Sequence, residues 1–310
     1  MHLRLENVTK RFDGRVAVDR LSLEVPPGVI FGVIGPNGAG KTTTIRMILN
    51  IIAPDEGQVY FNDRPVDGSF RDRVGYLPEE RGLYKKMTLR EVIVYMAELK
   101  GYPRRRAEAE LGAWLERMEL ASYLDRKVEE LSKGMAQKLQ FVTTILHKPE
   151  FVILDELFSG LDPLNVELIK NILLELKRSG TTILFSTHVM EQAEKLCDHI
   201  CMISHGKKVL DGTISDIKSR FGHNSVRINF AGDASFIRSL PGVRAMTEFT
   251  NYVELDLDGT VTPPSLLREI AGRVEVSRFE VMEPSLYDIF IDLARVDPSE
   301  VRPAGGRSDG

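Results

Sequence analysis

Two cysteines and six histidines in 310 residues leave little material for a disulfide scaffold or a zinc framework. No apolar stretch approaches the roughly 18 residues that a membrane-crossing helix needs. The longest apolar runs, Val29–Ile34 and Phe151–Leu154, are strand-sized. The opening segment MHLRLENVTKR contains no apolar h-region, so no secretory signal is expected and the cytoplasm is the expected location. A formal net charge of −4 excludes a strongly basic nucleic-acid binder, and no nucleic-acid partner is expected.

What is present is an ordinary globular composition, 43% hydrophobic and 28% charged. At roughly 100–200 residues per domain, the length suggests two domains. Lysine is missing from the last part of the chain. From Phe221 to Gly310 there are 9 Arg, no Lys and 14 Asp plus Glu, a net −5, while Met1–Arg220 is near neutral at +1. The break follows Lys218, and turn residues at 221–224 mark the same place.

The first 25 residues alternate in hydrophobicity around a turn at Asp13-Gly14, which predicts an antiparallel β-region. Val29–Ile34 predicts a buried strand, followed by a glycine-rich loop and a helix from Thr42 to about Ile52. Short strands and turns are expected over 58–77. Thr88-Leu89-Arg90-Glu91 is a capping-box sequence, and helical periodicity continues through Leu111, Trp114 and Met118. Residues of about 80–135 therefore form a helical insertion. Strands and helices then alternate: a strand at Phe151–Leu154, a helix after Asp162-Pro163, a strand at Thr181–Ser186 and a hairpin around His205-Gly206. This order implies a mostly parallel sheet. Beyond residue 224 the order becomes β-α-β-β-α-β, which resembles a ferredoxin-like module over 224–296; a disordered tail is expected over 297–310.

Three segments carry chemistry. Gly35-Pro36-Asn37-Gly38-Ala39-Gly40-Lys41-Thr42 matches the G-x-x-x-x-G-K-[ST] phosphate loop, with Thr43 following. Glycines let consecutive backbone N–H groups face one anion, Lys41 brings a fixed cation to the β- and γ-phosphates, and the Thr42 hydroxyl can bind Mg²⁺. The helix that follows offers its unpaired amides. An ordinary glycine turn is the alternative, but the strand before and helix after disfavour it. Phe151-Val152-Ile153-Leu154-Asp155-Glu156 ends a buried strand in two carboxylates, where α/β sheets bind ligands. Asp155 would hold Mg²⁺ through water and Glu156 would polarise the attacking water. Alone, the pair would read as a helix cap; the loop upstream favours the functional reading. In Leu131-Ser132-Lys133-Gly134-Met135, Ser132 can cap an apolar-periodic helix.

Taken together, these segments resemble the ATP-binding cassettes of ABC transporters over about 1–215, residues 131–135 standing for a signature usually written LSGGQ. The resemblance implies an α/β P-loop NTPase cassette over 1–220, with a RecA-like core, an antiparallel β-subdomain and a helical subdomain. It implies that Phe12 stacks on adenine, that Asp162 belongs to the loop Ser159-Gly160-Leu161-Asp162, and that His188 senses the γ-phosphate. Glu79 stands where most cassettes have a glutamine that contacts the metal; Lys133 and Met135 replace Gly and Gln of the signature; Leu157 replaces a proline. ATP and Mg²⁺ are the implied cofactors. The implied partners are a second cassette, closing two ATP molecules against Ser132 and Gly134 of the opposite copy, and separate integral-membrane permease subunits. These would hold the chain on the inner face of the membrane. The stretch GYLPEERGLYKKMT and the C-terminal module resemble the bacterial exporter-type subgroup that includes sodium-efflux ATP-binding subunits.

Two other functions compete. A soluble ABC ATPase acting on ribosomes or DNA would typically carry two cassettes or a long coiled coil, and neither is visible. A P-loop kinase or GTPase requires neither the 131–135 signature nor His188. Cys197 and Cys201 read as small core residues rather than a metal pair, and Arg104-Arg105-Arg106 as the solvated start of a helix.

Overall fold

The computed structural model describes residues 2–80, 82–221, 225–233 and 235–295. The chain forms two compact units, one ending at Ile214 and the other starting at Ser215. The tail expected over 297–310 lies outside the described residues.

The first unit begins with β1 (Leu3–Phe12) and β2 (Arg15–Val25), paired antiparallel across the Asp13-Gly14 turn. β3 (Ile30–Ile34) follows, buried at every residue, and leads through the glycine loop into α1 (Lys41–Ile48). That helix stops four residues short of the expected Ile52, because Asn50 adopts a left-handed conformation (φ 51°) that turns the chain out of the helix. β4 (Glu56–Phe61), β5 (Arg64–Pro65), the single turn α2 (Phe70–Arg73) and β6 (Val74–Leu77) come next. β4 and β5 extend the antiparallel sheet to the order β2-β1-β4-β5.

The helical insertion is α3 (Leu89–Leu99), α4 (Arg104–Arg117) and α5 (Lys133–Ile145). α3 starts at a complete capping box: the Thr88 hydroxyl accepts from Glu91 N at 3.2 Å, and the Thr88 amide donates to Glu91 Oε2 at 2.8 Å. Gly101 ends it with φ 72°. β7 (Phe151–Asp155), α6 (Pro163–Arg178), β8 (Thr182–Thr187), α7 (Met190–Leu196), β9 (His199–Ser204) and β10 (Lys207–Thr213) complete the unit. The larger sheet has the order β10-β9-β3-β8-β7-β6, parallel except for the edge strand β10. The two sheets share one core, in which Phe61, Phe70 and Phe151 meet with ring centroids 4.6–6.4 Å apart. The outcome is the expected α/β cassette architecture.

α8 (Ile214–Phe221) runs into the second unit, which contains β11 (Ser225–Ala231), β12 (Val243–Glu248), β13 (Val253–Leu257), α9 (Pro263–Ala271), β14 (Glu275–Met282) and α10 (Leu286–Arg295). Its antiparallel sheet has the order β12-β13-β11-β14, the ferredoxin-like arrangement. The short helix expected after β11 is a 3₁₀ turn over Ser235–Ser239, hemmed in by Asp233 before it and Pro241-Gly242 after it. Val226, Ile228, Val253, Leu255, Leu266 and Ile270 form a separate core. Among the described residues, no helix is long and apolar enough to cross a membrane.

Candidate functional site

The site lies at the C-terminal ends of β3, β7 and β8. β8 pairs with both others, so the loop after β3 and the carboxylates after β7 open on the same edge of the sheet. The phosphate loop requires glycine where backbone passes close to it. A Cβ on Gly35 would fall 2.1 Å from Ile203 O, and one on Gly40 (φ 106°) would fall 2.5 Å from Ala17 O. Gly40 is also the N-cap of α1 and supplies no side-chain oxygen, and the first turn contains no acidic residue. The helix therefore presents its first amides uncapped, with the positive end of its dipole toward the loop.

Asn37, Gly38, Gly40, Lys41, Thr42 and Thr43 line a cavity of about 230 Å³ together with Ala17, Glu79 and Glu156. Gly35, Pro36 and Ala39 shape the loop from behind. The carbonyls of Gly35 and Pro36 accept from Lys41 Nζ at 2.9 and 3.2 Å, and Ala39 N donates to Pro36 O at 3.2 Å. An adjoining cavity of about 300 Å³ shares Thr42 and Glu79 and adds Arg46, Tyr76 and Asp155.

Asp155 is fully buried. Ser186, near the end of β8, donates its hydroxyl to Asp155 Oδ1, while Oδ2 is buried with no hydrogen-bond partner. Burial pushes the Asp155 carboxyl above the usual carboxylate range, and the neighbouring Glu156 adds to this; the hydroxyls of Ser186 and Thr42 and the Lys41 ammonium pull the other way. Burial, with Asp155 next in weight, also pushes the Tyr76 hydroxyl up to about 12. An unpartnered buried carboxylate oxygen beside Thr42 suits a hard cation. Among the described residues no cluster of three or more His, Cys, Asp or Glu side chains forms a metal cage. That donor set matches Mg²⁺, which takes one or two carboxylates and completes its shell with water and phosphate.

Glu156 adopts φ 51°, an uncommon conformation for a non-glycine residue, held by its amide donating to Ser186 O and Oγ at 3.2 Å each. Its carboxylate is almost fully buried. Oε2 lies 2.9 Å from His188 Nδ1, and Oε1 lies 3.4 Å from Lys41 Nζ without a hydrogen-bond partner. His188, half exposed just after β8, thus meets Glu156 side chain to side chain.

The remaining sequence-derived residues lie outside the cavity. Ser132 caps α5, its hydroxyl accepting from Met135 N at 3.3 Å. A Cβ on Gly134 would come within 3.8 Å of Gly160 O and Leu161 Cδ2, so the start of α5 lies beside the 159–162 loop. Asp162 caps α6, accepting from Asn165 N at 3.0 Å, and this hydrogen bond holds its carboxyl below the usual range. Phe12 is 46% exposed at the end of β1. Sequence reasoning missed Ser186, Ala17, Arg46 and Tyr76. Ser186 carried a usable signal: like Asp155, it is a polar residue at the C-terminal end of an apolar run.

Residues 18–159 match the ABC transporter family model, and residues 212–294 match the model of the ATP-binding protein DrrA1-3-like C-terminal domain. The chain is 47% identical over 290 residues to YhaQ of Bacillus subtilis, an uncharacterized ABC transporter ATP-binding protein, covering 94% of this chain and 97% of that one. It is 36% identical over 297 residues to the Nod factor export ATP-binding protein I of Burkholderia thailandensis, covering 93% and 95%. The solved structure of an ATP-binding subunit of an ABC transporter superposes with a TM-score of 0.67 at 32% identity, covering 71% of this chain and 93% of that one.

Proposed function

The chain belongs to the ABC transporter ATP-binding proteins, and from that premise we propose how its own residues bind and split ATP. It is an ATP-hydrolysing subunit of such a transporter. The meeting of Lys41 and Glu156 in one cavity under an uncapped helix start, with His188 against the other oxygen of Glu156, is the observation that carries the assignment of roles. The loop amides of 35–43 and the start of α1 would cradle the β- and γ-phosphates. Lys41 would exchange the Gly35 and Pro36 carbonyls for phosphate oxygens, which also frees Glu156. Glu156 would then polarise the attacking water, with His188 holding its second oxygen in place. Mg²⁺, when bound, supplies Lewis-acid neutralisation of the phosphate oxygens; Thr42, Asp155 and Glu79 are the residues to hold it. Phe12 would stack on adenine.

Ser132, Gly134 and Asp162 lie outside the loop's own cavity, which fits a site completed by a second copy. In that arrangement Ser132 and the Gly134 amide reach the γ-phosphate on the partner's loop. The working unit is then a homodimer closed by ATP, bound peripherally to a separate membrane permease at the cytoplasmic face. The relative named for Nod factor export supports an exporter. Residues 1–220 act as the cassette, and residues 224–296 support the dimer or regulate it. Deleting 222–310 should alter the hydrolysis rate or the oligomeric state; no change in either removes that role.

The central test is Glu156→Gln. The variant should bind Mg·ATP, lose hydrolysis and elute as a dimer in Mg·ATP but as a monomer without it. A monomer under both conditions would overturn the sandwich mechanism.

A further inference from the structure

Phe12 does not stand alone at the tip of the β1–β2 hairpin. Lys10 Nζ lies over its ring, 5.6 Å from the centroid. That ammonium is held in place from elsewhere. It donates to Ala53 O at 2.9 Å and to Asp55 Oδ1 at 2.8 Å, and its side chain is only 16% exposed. Asp55 is fixed in turn: its Oδ2 accepts from Arg11 N at 2.6 Å. An ammonium has three N–H groups, so two are spent on the turn after α1 and one is left to face the ring. Phe12 is still 46% exposed with this cation in place, which leaves much of the ring open to a flat ligand.

We propose that Lys10 is a positioning residue for the nucleotide base, acting through Phe12. The proposal rests on the reading of Phe12 as the adenine platform. The ammonium fixes the ring against the β-sheet and draws π-density toward itself. The rest of the ring becomes less electron-rich and stacks better on a purine. The triphosphate is bound elsewhere, by the loop, so Lys10 acts on the base and not on the phosphates. A merely structural Lys10, a tie between β1 and the Ala53–Asp55 turn, would affect every ligand alike.

The test uses the full chain carrying Glu156→Gln, titrated with Mg·ATP and separately with Mg·tripolyphosphate, which has no base. Lys10→Met should weaken ATP binding about two- to fivefold and leave tripolyphosphate binding unchanged. Lys10→Gln, which keeps a donor for the Ala53 carbonyl, should behave like Lys10→Met, and Lys10→Arg should restore binding. With Glu156 intact, KM for ATP should rise while kcat does not follow. In a Phe12→Ala background the effect of Lys10→Met should vanish. Equal weakening of both ligands, no weakening of ATP, or a loss that persists without Phe12 overturns the proposal. If Phe12→Ala itself leaves ATP affinity unaltered, the stacking reading fails and takes the Lys10 role with it. If Phe12→Ala weakens ATP but Lys10→Met does not, only the Lys10 role fails.

Discussion

Lys41 Nζ and Glu156 Oε1 lie 3.4 Å apart with both side chains more than nine-tenths buried. The pair sets the cation proposed to bind phosphate against the carboxylate proposed to polarise water, and each neutralises the other. A buried pair of this kind stabilises little over an apolar pair, but removing one partner strands the other. Lys41→Met should therefore cut ATP hydrolysis by about 100-fold or more and also lower the Tm of the nucleotide-free protein. Adding Glu156→Gln to Lys41→Met should recover part of that Tm. Thermal unfolding of the two single variants and the double variant checks it; strictly additive shifts would show that the two groups do not interact.

Asp155 should behave as a destabilised site in the absence of nucleotide. Its carboxyl titrates above the usual range because burial penalises the charged form. The folded protein therefore holds that proton to a higher pH than the unfolded chain does, and folding loses stability as pH rises through the raised value. Asp155→Asn should raise the Tm of the nucleotide-free protein by about 2–4 °C at neutral pH while abolishing Mg-dependent hydrolysis. The gap between variant and wild type should close as pH falls and Asp155 becomes neutral. A gap that widens on acidification would contradict this.

Both thiols should be inert. Cys197 and Cys201 are buried, and desolvation pushes both well above the ordinary thiol range. Thiol titration with a disulfide reagent should find no reactive cysteine in the native protein and two after unfolding. Modification of the folded protein with loss of activity would be the contrary result.

The Thr88 cap, which lines neither cavity of the site, offers a control. Thr88→Ala removes the hydroxyl that accepts from Glu91 N and should cost about 1 kcal/mol, a Tm decrease of about 2–4 °C. ATP affinity measured by titration should not change.

What was legible in the sequence was local in the chain. The 35–42 loop, the apolar run closing on Asp155-Glu156 and the Thr88–Glu91 box each place their chemistry within eight consecutive residues. The order of the four C-terminal strands and of the helix over Pro263–Ala271 was likewise visible, while the first helix of that order proved to be a 3₁₀ turn. What escaped depends on contacts between distant segments. Ser186 meets Asp155 only because β8 pairs in register with β7, Asp155 opposite Ser186. Lys10 reaches Phe12 while tethered to a turn some 43 to 45 positions later. The early end of α1 at Ile48, ahead of the left-handed Asn50, reflects a backbone preference too weak to read against an apolar pattern that runs on to Ile52.

The placement of β8 between β3 and β7 has one more consequence. Neighbouring strands are about 4.8 Å apart, so the ends of β3 and β7 stand about 10 Å apart, a gap set by two ladders of backbone hydrogen bonds, and the side chains of Lys41 and Glu156 meet across it. β8 is in effect a caliper. Side chains in the site can be exchanged without changing its span, whereas an insertion or a register slip in Thr182–Thr187 would displace Asp155, Glu156 and His188 relative to the glycine loop at once.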